Sequence, residues 1–271
     1  MTFEVKNGFF AYSDNKKNPN QSVLSGISYK VEKGRILGIL GPNGVGKTTL
    51  LRCSMGMLKW NQGQSLIDGV DLRDMSPQQQ WRKMAYVPQA KGVAQQLTVW
   101  DMVLLGRSSH IKPWQQPSQK DKEIAAKAIQ QVGISKLADK YCHQISGGEL
   151  QMALIARALA GEPQMIVLDE PESNLDFKNQ LIVLETLRNL SESEGISCIF
   201  NTHYPGHALE YCHDALVLDR SGSSLWGPVR EVLTQDNLRR TFGVEVHVHD
   251  VTVNGKTYSE ILPLSLLPEN N

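Results

Sequence analysis

The sequence lacks the features that mark a membrane-spanning or a secreted protein. No apolar run in its 271 residues approaches the roughly 18 needed to cross a bilayer. Residues 1–5 lack the basic-then-apolar pattern of a secretion signal. Its cysteines are scattered, with no C-x-x-C spacing, at positions 53, 142, 198 and 212. We therefore expect a cytosolic chain with reduced cysteines.

An excess of charge of one sign is also missing. The chain has 28 basic and 28 acidic side chains, so its formal net charge is zero. No long-range field attracts nucleic acid or an acidic membrane, and we expect no nucleic-acid partner. Internal repeats and low-complexity segments are absent as well. A chain of this length can bury a substantial core, which predicts a single domain over residues 1–271.

A glycine-rich segment lies between a predicted buried strand, residues 35–40, and a predicted helix that begins at Lys47. This is the context in which the pattern G-x-x-x-x-G-K-T binds phosphate. Backbone amides surround the β-phosphate, Lys47 reaches the β- and γ-phosphates, and the Thr48 hydroxyl holds Mg²⁺. A glycine-rich turn that happens to fit is the simpler alternative. The predicted nucleotide-binding residues are Gly41, Pro42, Asn43, Gly44, Val45, Gly46, Lys47, Thr48 and Thr49.

Two acids follow a second apolar run, residues 165–168. Asp169, at the carboxyl end of this predicted strand, is placed to bind Mg²⁺. Glu170 is one residue further and could polarise an attacking water. Acids also follow strands simply because strand ends are solvated. With the phosphate loop upstream, we predict that Asp169 is a metal ligand and Glu170 is the catalytic base of ATP hydrolysis.

A strongly helical segment begins with Ser146-Gly147-Gly148-Glu149. Ser146 and Glu149 have the spacing of a capping box, so a well-capped helix start explains part of this pattern. Two glycines in a first turn are costly, however, which indicates a further purpose. Bare amides at a helix N-terminus bind anions. Because the chain already has one phosphate loop, we predict that Ser146, Gly147 and Gly148 bind the γ-phosphate of ATP held by a second copy.

These motifs, in this order, resemble the ATPase subunits of ATP-binding-cassette (ABC) transporters over nearly the whole chain. The resemblance implies that Tyr12 stacks on adenine and that Asp176 lies in a loop that crosses the dimer interface. It also implies catalytic roles for Gln89, near Mg²⁺ and the attacking water, and for His203, near the γ-phosphate. The implied cofactors are ATP and Mg²⁺, and the implied assembly is a homodimer.

The resemblance also implies an architecture. We expect an α/β P-loop NTPase core with a mixed sheet, an N-terminal antiparallel β region and a helical subdomain inserted at residues 90–150. A C-terminal extension, residues 228–271, contains a predicted β-hairpin with its turn at Asn254-Gly255. His247 and His249 share one face of that hairpin and are interpreted as exposed polar side chains, since no third metal ligand has suitable spacing.

In such proteins the helical insertion contacts a membrane-embedded permease. The candidate contacts are Trp100, Met102, Leu105 and Trp114, although most of these apolar side chains must fill the insertion's own core. We expect the chain to lie peripherally on the cytoplasmic side of the cell membrane. A substrate-binding protein is an indirect partner.

Three details resemble one branch of the family, the importers of iron–siderophore, haem and vitamin B12: residues 104–110, the lysine- and alanine-bearing helix after them, and the ending 231–244. Molybdate or tungstate importers look similar and remain an alternative. The rivals from other classes are an exporter motor and a soluble ABC protein acting on ribosomes or DNA. The second commonly has two cassettes or a long coiled-coil insertion, and this chain has neither.

Four departures from the usual pattern accompany the resemblance. Ile145 stands where Leu is usual, Glu149 where Gln is commoner and Glu172 where Thr is common. Tyr204-Pro205 follows the histidine where an acid is common. The phosphate-binding atoms belong to Ser146 and to the glycine backbones, so Glu149 leaves the prediction of hydrolysis in place. Glu172 and Tyr204-Pro205 are expected to tune the rate or the fit to a partner.

Overall fold

A computed structural model describes residues 1–12, 22–90, 96–112 and 114–267. Residues 91–95 and 113 of the predicted insertion, and 268–271 of the predicted extension, lie outside this range. The strands are β1 Phe3–Phe10, β2 Leu24–Val31, β3 Ile36–Leu40, β4 Gln62–Ile67, β5 Val70–Asp71, β6 Met84–Val87, β7 Met165–Asp169, β8 Ser197–Asn201, β9 Asp214–Leu218, β10 Ser224–Pro228, β11 Val244–Val253 and β12 Lys256–Leu266. The α-helices are α1 Lys47–Ser54, α2 Pro77–Lys83, α3 Val99–Leu104, α4 Gln119–Gln131, α5 Gly147–Ala160, α6 Phe177–Glu194, α7 Pro205–Tyr211, α8 Val229–Val232 and α9 Gln235–Phe242.

The chain divides into two compact units. Residues 73–200, together with Met1, form one unit, and residues 2–72 with 201–271 form the other. We call them the helical unit and the phosphate-loop unit. The predicted insertion falls within the first and the predicted extension within the second, while the domain boundaries themselves stay predictions. Within the described ranges, no helix is long and apolar enough to cross a membrane.

The phosphate-loop unit contains the predicted N-terminal antiparallel β region, a sheet with strand order β2-β1-β4-β5. Alternate residues of β2 are buried, as expected for strands with one face on a core. All five residues of β3 are buried. β3 pairs in parallel with β9, and β9 pairs antiparallel with β10, so this part of the core is a mixed sheet.

The predicted C-terminal hairpin is present as β11 and β12. Val253 pairs with Lys256, which leaves Asn254-Gly255 as a two-residue turn. Both turn residues have positive φ, 51° and 78°, as a type I′ turn requires. β11 packs against α9 and β12 against α7. The rings of His247 and His249 stack with centroids 5.5 Å apart.

The helical unit contains the parallel pair of strands β6 and β7. Its helices α3, α4 and α5 pack on one another. The sequence also predicts helix starts at Thr98 and Ser118. The structure confirms them: Thr98, Ser118 and Ser146 each cap a helix by accepting a bond from the amide three residues later. The sequence further predicts a helix over residues 180–190. In the structure this helix, α6, begins three residues earlier, at Phe177, because Asp176 caps it by accepting the Asn179 amide.

Candidate active site

The phosphate loop connects the buried strand β3 to the first turn of α1. Gly41 has φ +147°, and a Cβ there would lie 2.6 Å from the Leu218 carbonyl oxygen. Gly46, the residue that precedes α1, has φ +110°, and a Cβ there would lie 2.8 Å from the Val23 side chain. Side chains at either position would strain the backbone and clash. The loop conformation therefore requires these glycines, as a phosphate cradle does.

Lys47 is buried inside this loop. Its ammonium donates to the carbonyl oxygens of Gly41 at 2.8 Å and Pro42 at 3.1 Å. The Nδ1 atom of His203 lies 3.5 Å from the same ammonium. The Thr202 amide bonds to the Ile39 carbonyl of β3 at 3.0 Å, which fixes the segment that carries His203. The fold thus brings together two predicted site residues that are 156 positions apart.

The Tyr12 side chain lies beside the first turn of α1. Its hydroxyl is 3.1 Å from the Thr49 hydroxyl of that turn. Its ring meets Phe10 edge-on, with centroids 4.8 Å apart. The side chain is 45% exposed, which leaves ring surface open for stacking. Thr48 occupies the position after Lys47 in α1. The adenine-stacking role of Tyr12 and the metal-binding role of Thr48 stay predictions.

The two predicted acids lie at the end of β7 in different environments. Asp169 is buried and accepts a hydrogen bond from the Tyr86 hydroxyl at 3.0 Å. Glu170 accepts from the Gln89 side-chain amide at 3.1 Å and from the Ser173 hydroxyl at 3.0 Å. The structure therefore brings Gln89 and Glu170 together.

The backbone of Glu170 has φ +49°, a left-handed conformation that non-glycine residues rarely adopt. Such strain is concentrated at functional sites, where the surrounding structure maintains it. Tyr86 lies three residues before Gln89 and Ser173 three before Asp176, within the segments that resemble family motifs, but the sequence predicts no role for either side chain. In the parallel register of β6 and β7, Tyr86 pairs with Val167, two residues before Asp169. This register brings the phenol close to Asp169.

The start of α5 contains the predicted capping box. The Ser146 amide and hydroxyl both donate to the Glu149 carboxylate at 2.8 Å, and the Ser146 hydroxyl accepts the Glu149 amide at 3.3 Å. The bond from the Ser146 amide, followed by that from its hydroxyl, lowers the pKa of Glu149. Ser146 and Gly147 are exposed. The helix start can thus offer a hydroxyl and amides to an anion, beside a carboxylate that stays ionised.

The two glycines after Ser146 serve different purposes. A Cβ on Gly148 would lie 2.4 Å from Cγ of Asn179 and 2.9 Å from its Cβ, so this glycine lets α5 and α6 approach closely. A Cβ on Gly147 would meet only Leu175, at 3.9 Å. Packing therefore explains why position 148 has no side chain, while the predicted phosphate-binding role of both glycine backbones stays a prediction. Only Gly147 leaves the helix start open to solvent.

These contacts predict opposite effects of alanine on the stability of the chain. Gly148→Ala should lower the free energy of unfolding by about 1–3 kcal/mol, the usual cost of overpacking. Gly147→Ala should leave it unchanged or raise it by up to about 1 kcal/mol, because alanine favours helix. Urea unfolding followed by circular dichroism measures both. Equal midpoints for the two variants would contradict this explanation.

The predicted site residues divide between the two units. Tyr12, the phosphate loop and His203 lie in the phosphate-loop unit, and the others lie in the helical unit.

The departures at Tyr204-Pro205 have a structural explanation, since Pro205 is the first residue of α7 and Tyr204 precedes it as the cap position. Within the described residues, no group of three or more His, Cys, Asp or Glu side chains is suited to a metal ion.

Comparison with known proteins gives consistent matches. The family model described as ABC transporter matches residues 24–173. A hemin import ATP-binding protein of Bordetella avium is 36% identical over 83% of this chain and 88% of its own length. A molybdate import ATP-binding protein of Haemophilus influenzae is 32% identical over 88% of each. A solved structure described as a metal-chelate type ABC transporter in an inward-facing conformation has a TM-score of 0.86 at 31% identity, covering 97% of both chains.

Proposed function

The chain belongs to the ABC transporter family and is an ATPase, and we propose that it drives the import of a metal chelate. The observation that carries this proposal is the near-complete correspondence, in length and fold, with the transporter described as metal-chelate type. The hemin importer supports the same cargo class. An iron–siderophore, haem or cobalamin complex is the proposed cargo. Molybdate or tungstate is the second candidate, which the Haemophilus influenzae relative favours.

We propose that the working form is a homodimer that encloses two ATP molecules. In each site, one copy would supply the loop around Lys47, and the other would supply the exposed start of α5 at Ser146 and Gly147. The loop holds an ammonium among carbonyl oxygens, while the α5 start presents amides to solvent. Both arrangements suit a triphosphate. Asp176, at the start of the neighbouring α6, is proposed to lie at the dimer interface.

The donor set suits Mg²⁺, which prefers hard oxygen ligands. We propose a role as a Mg²⁺ ligand for the Asp169 carboxylate and the Gln89 side-chain oxygen of the helical unit, and, separately, for the Thr48 hydroxyl of the phosphate-loop unit. When bound, Mg²⁺ would neutralise charge on the β- and γ-phosphates. Asp169 is itself oriented by the Tyr86 hydroxyl.

Glu170 is the proposed base that takes a proton from the attacking water. Its carboxylate is held by Gln89 and Ser173, so its orientation is determined before substrate binds. His203, 3.5 Å from the Lys47 ammonium, is proposed to contact the γ-phosphate. Closure of the dimer on ATP would then drive the permease, and hydrolysis would reset it.

A groove on the helical unit supports the proposed permease contact. It has a volume of about 450 Å³ and is lined by Leu97, Asp101, Leu104, Leu105, Ser108, Ile111, Lys112, Gln115 and Pro117. Leu105 is 53% exposed in this groove, and Trp114 is 80% exposed beside it in sequence. Met102, also a predicted contact, is 2% exposed and belongs to the core, while Trp100 is half-buried. We propose that a cytoplasmic segment of the permease occupies this groove.

A pull-down from membranes tests the function. A tagged chain, extracted with mild detergent from its own cells, should retain a permease with many apolar spans. Leu105→Asp should lose that permease while keeping its ATPase rate, because a carboxylate in an apolar groove must be desolvated. Leu264→Asp, at a leucine of β12 that is 57% exposed, is the matched control. Recovery with ribosomes, or without any membrane protein, would contradict the proposal.

A further inference from the structure

One segment of the helical unit touches both the groove and the C-terminal end of α5. We call residues 104–112, which begin with the last residue of α3, the connector. Leu104, Leu105, Ser108, Ile111 and Lys112 line the groove. The intervening Gly106, Arg107 and His110 bond to or pack against the turn that ends α5.

Arg107 makes the central contacts of the connector. Its Nη1 atom donates to the Ala160 carbonyl and to the Glu162 carboxylate, each at 2.8 Å. Its Nε atom donates to the Asp121 carboxylate of α4 at 2.9 Å. The side chain is only 4% exposed. One planar guanidinium thus joins the connector, α4 and the end of α5, a geometry that a lysine cannot reproduce.

Asp121, the buried acidic partner of Arg107, is itself fixed. Asp121 also accepts the Ser118 hydroxyl at the start of α4, at 2.5 Å. That bond, followed by the one from Arg107, lowers the pKa of Asp121 to about 2, so the ion pair persists across the physiological pH range. Glu162 has φ +50° immediately after the helix. A buried ion pair such as Arg107–Asp121 defines the relative position of its two side chains more than it raises the free energy of unfolding.

Two further contacts attach the connector to its surroundings. A Cβ on Gly106 would lie 2.0 Å from the Arg157 carbonyl oxygen, so the connector backbone lies directly on α5. His110 Nε2 is 2.9 Å from the Gly161 carbonyl oxygen. On the other side, the Ser109 carbonyl accepts bonds from α2, donated by the side chains of Gln78 and Arg82. The connector therefore has little freedom to move independently of α5.

The far end of α5 is the proposed phosphate-binding start at Ser146. The helix has 14 residues, which corresponds to about 21 Å at 1.5 Å per residue. It is buried over most of its length, and within it a hydrogen-bonded backbone transmits displacement with little loss. A displacement applied to the connector at one end must then shift the position of Ser146 at the other.

We propose that Arg107 is a positioning residue for the ATPase reaction: it joins the groove-lining connector to α5, so that Ser146 and Gly147 are held where the partner copy's ATP requires them. This inference rests on the proposed dimer. In the sequence, residues 104–110 only indicate a branch of the family. The inference gives them a physical task, which is to join the groove to α5. Arg107 itself touches neither nucleotide nor water.

The test uses the full chain carrying Glu170→Gln, in which ATP-driven dimers should accumulate. Arg107→Lys keeps the positive charge but removes the planar guanidinium that donates to several acceptors at once. The double variant Arg107→Met/Asp121→Asn removes the charges of both Arg107 and Asp121. No unpaired buried acid then remains at position 121 to unfold the chain. Arg35→Lys is the control, because the Arg35 guanidinium also pairs with a carboxylate, donating two bonds to Asp214 in the phosphate-loop unit. Light scattering measures dimers, and a fluorescent ATP analogue measures binding to monomers.

We expect both Arg107 variants to bind the analogue as tightly as the parent, since the phosphate loop is unchanged. Their dimerisation should require about tenfold more protein. In chains with the native Glu170, kcat should fall with little change in KM. Folded Arg107 variants with parental dimerisation and kcat would overturn the assignment. If the Glu170→Gln parent forms no dimer with ATP, the proposed dimer fails first and the role of Arg107 fails with it.

Discussion

A Glu170→Gln chain is expected to bind ATP normally and to hydrolyse it at least about a hundredfold more slowly than the native chain. The substitution keeps the size of the side chain and its capacity to accept the Ser173 hydroxyl, which the native carboxylate accepts at 3.0 Å. What it removes is the ability to take a proton from water. Because ATP then persists, the variant should accumulate as dimers.

Phosphate release at saturating ATP measures the rate, and size-exclusion chromatography with ATP and Mg²⁺ measures the dimer. Glu185→Gln is the control, since Glu185 is an exposed carboxylate on α6 that pairs with Arg188 of the same helix. The control should retain the native rate. A Glu170→Gln chain that hydrolyses ATP at the native rate would mean that another group is the base.

Lys47→Ala should weaken ATP binding by about ten- to a hundredfold. The expected loss is that of charge-assisted hydrogen bonds to phosphate, about 1.5–3 kcal/mol. The buried ammonium also holds the loop through the Gly41 and Pro42 carbonyls, so the empty loop should lose order as well. The ATPase rate should fall in parallel, because His203 lies beside the same ammonium.

Isothermal titration calorimetry with ATP and Mg²⁺ measures the affinity. Lys178→Ala removes an exposed lysine in the first turn of α6 and serves as the control for a lost positive charge. Lys178→Ala should bind ATP with the native affinity. The two variants should therefore differ in affinity by the whole loss expected for Lys47→Ala. Native affinity in Lys47→Ala would show that the loop binds phosphate through its amides alone.

The elements that sequence reasoning located best are those whose hydrogen bonds are local. Helix caps at Thr98, Ser118 and Ser146 join residues three apart, and the Asn254-Gly255 turn joins neighbours. Such patterns are readable because the partners appear in the same short window. The start of α6 was missed because helix formers were counted from Gln180, while Asp176 had been interpreted only as an interface residue.

Other features required side chains from distant segments to meet. The purpose of Gly148 depends on Asn179, and the environment of Met102 depends on how α3, α4 and α5 pack. The strained backbone of Glu170 and its bonds to Gln89 and Ser173 are likewise invisible in the linear pattern. Arg107 is the clearest case, because no local rule pairs it with Asp121 and Glu162.

The amino-acid sequence by itself determined the phosphate loop, the acids after β7, the capped start of α5 and, through them, the family and its reaction. These signals are local because each depends on backbone conformation and on groups a few residues apart. Only the tertiary structure decided which side chains share an environment: Lys47 with His203, 156 residues away, and Gln89 with Glu170, 81 residues away. Such meetings follow from chain topology and burial, which hydrophobic packing sets over the whole unit and which no short window of sequence contains.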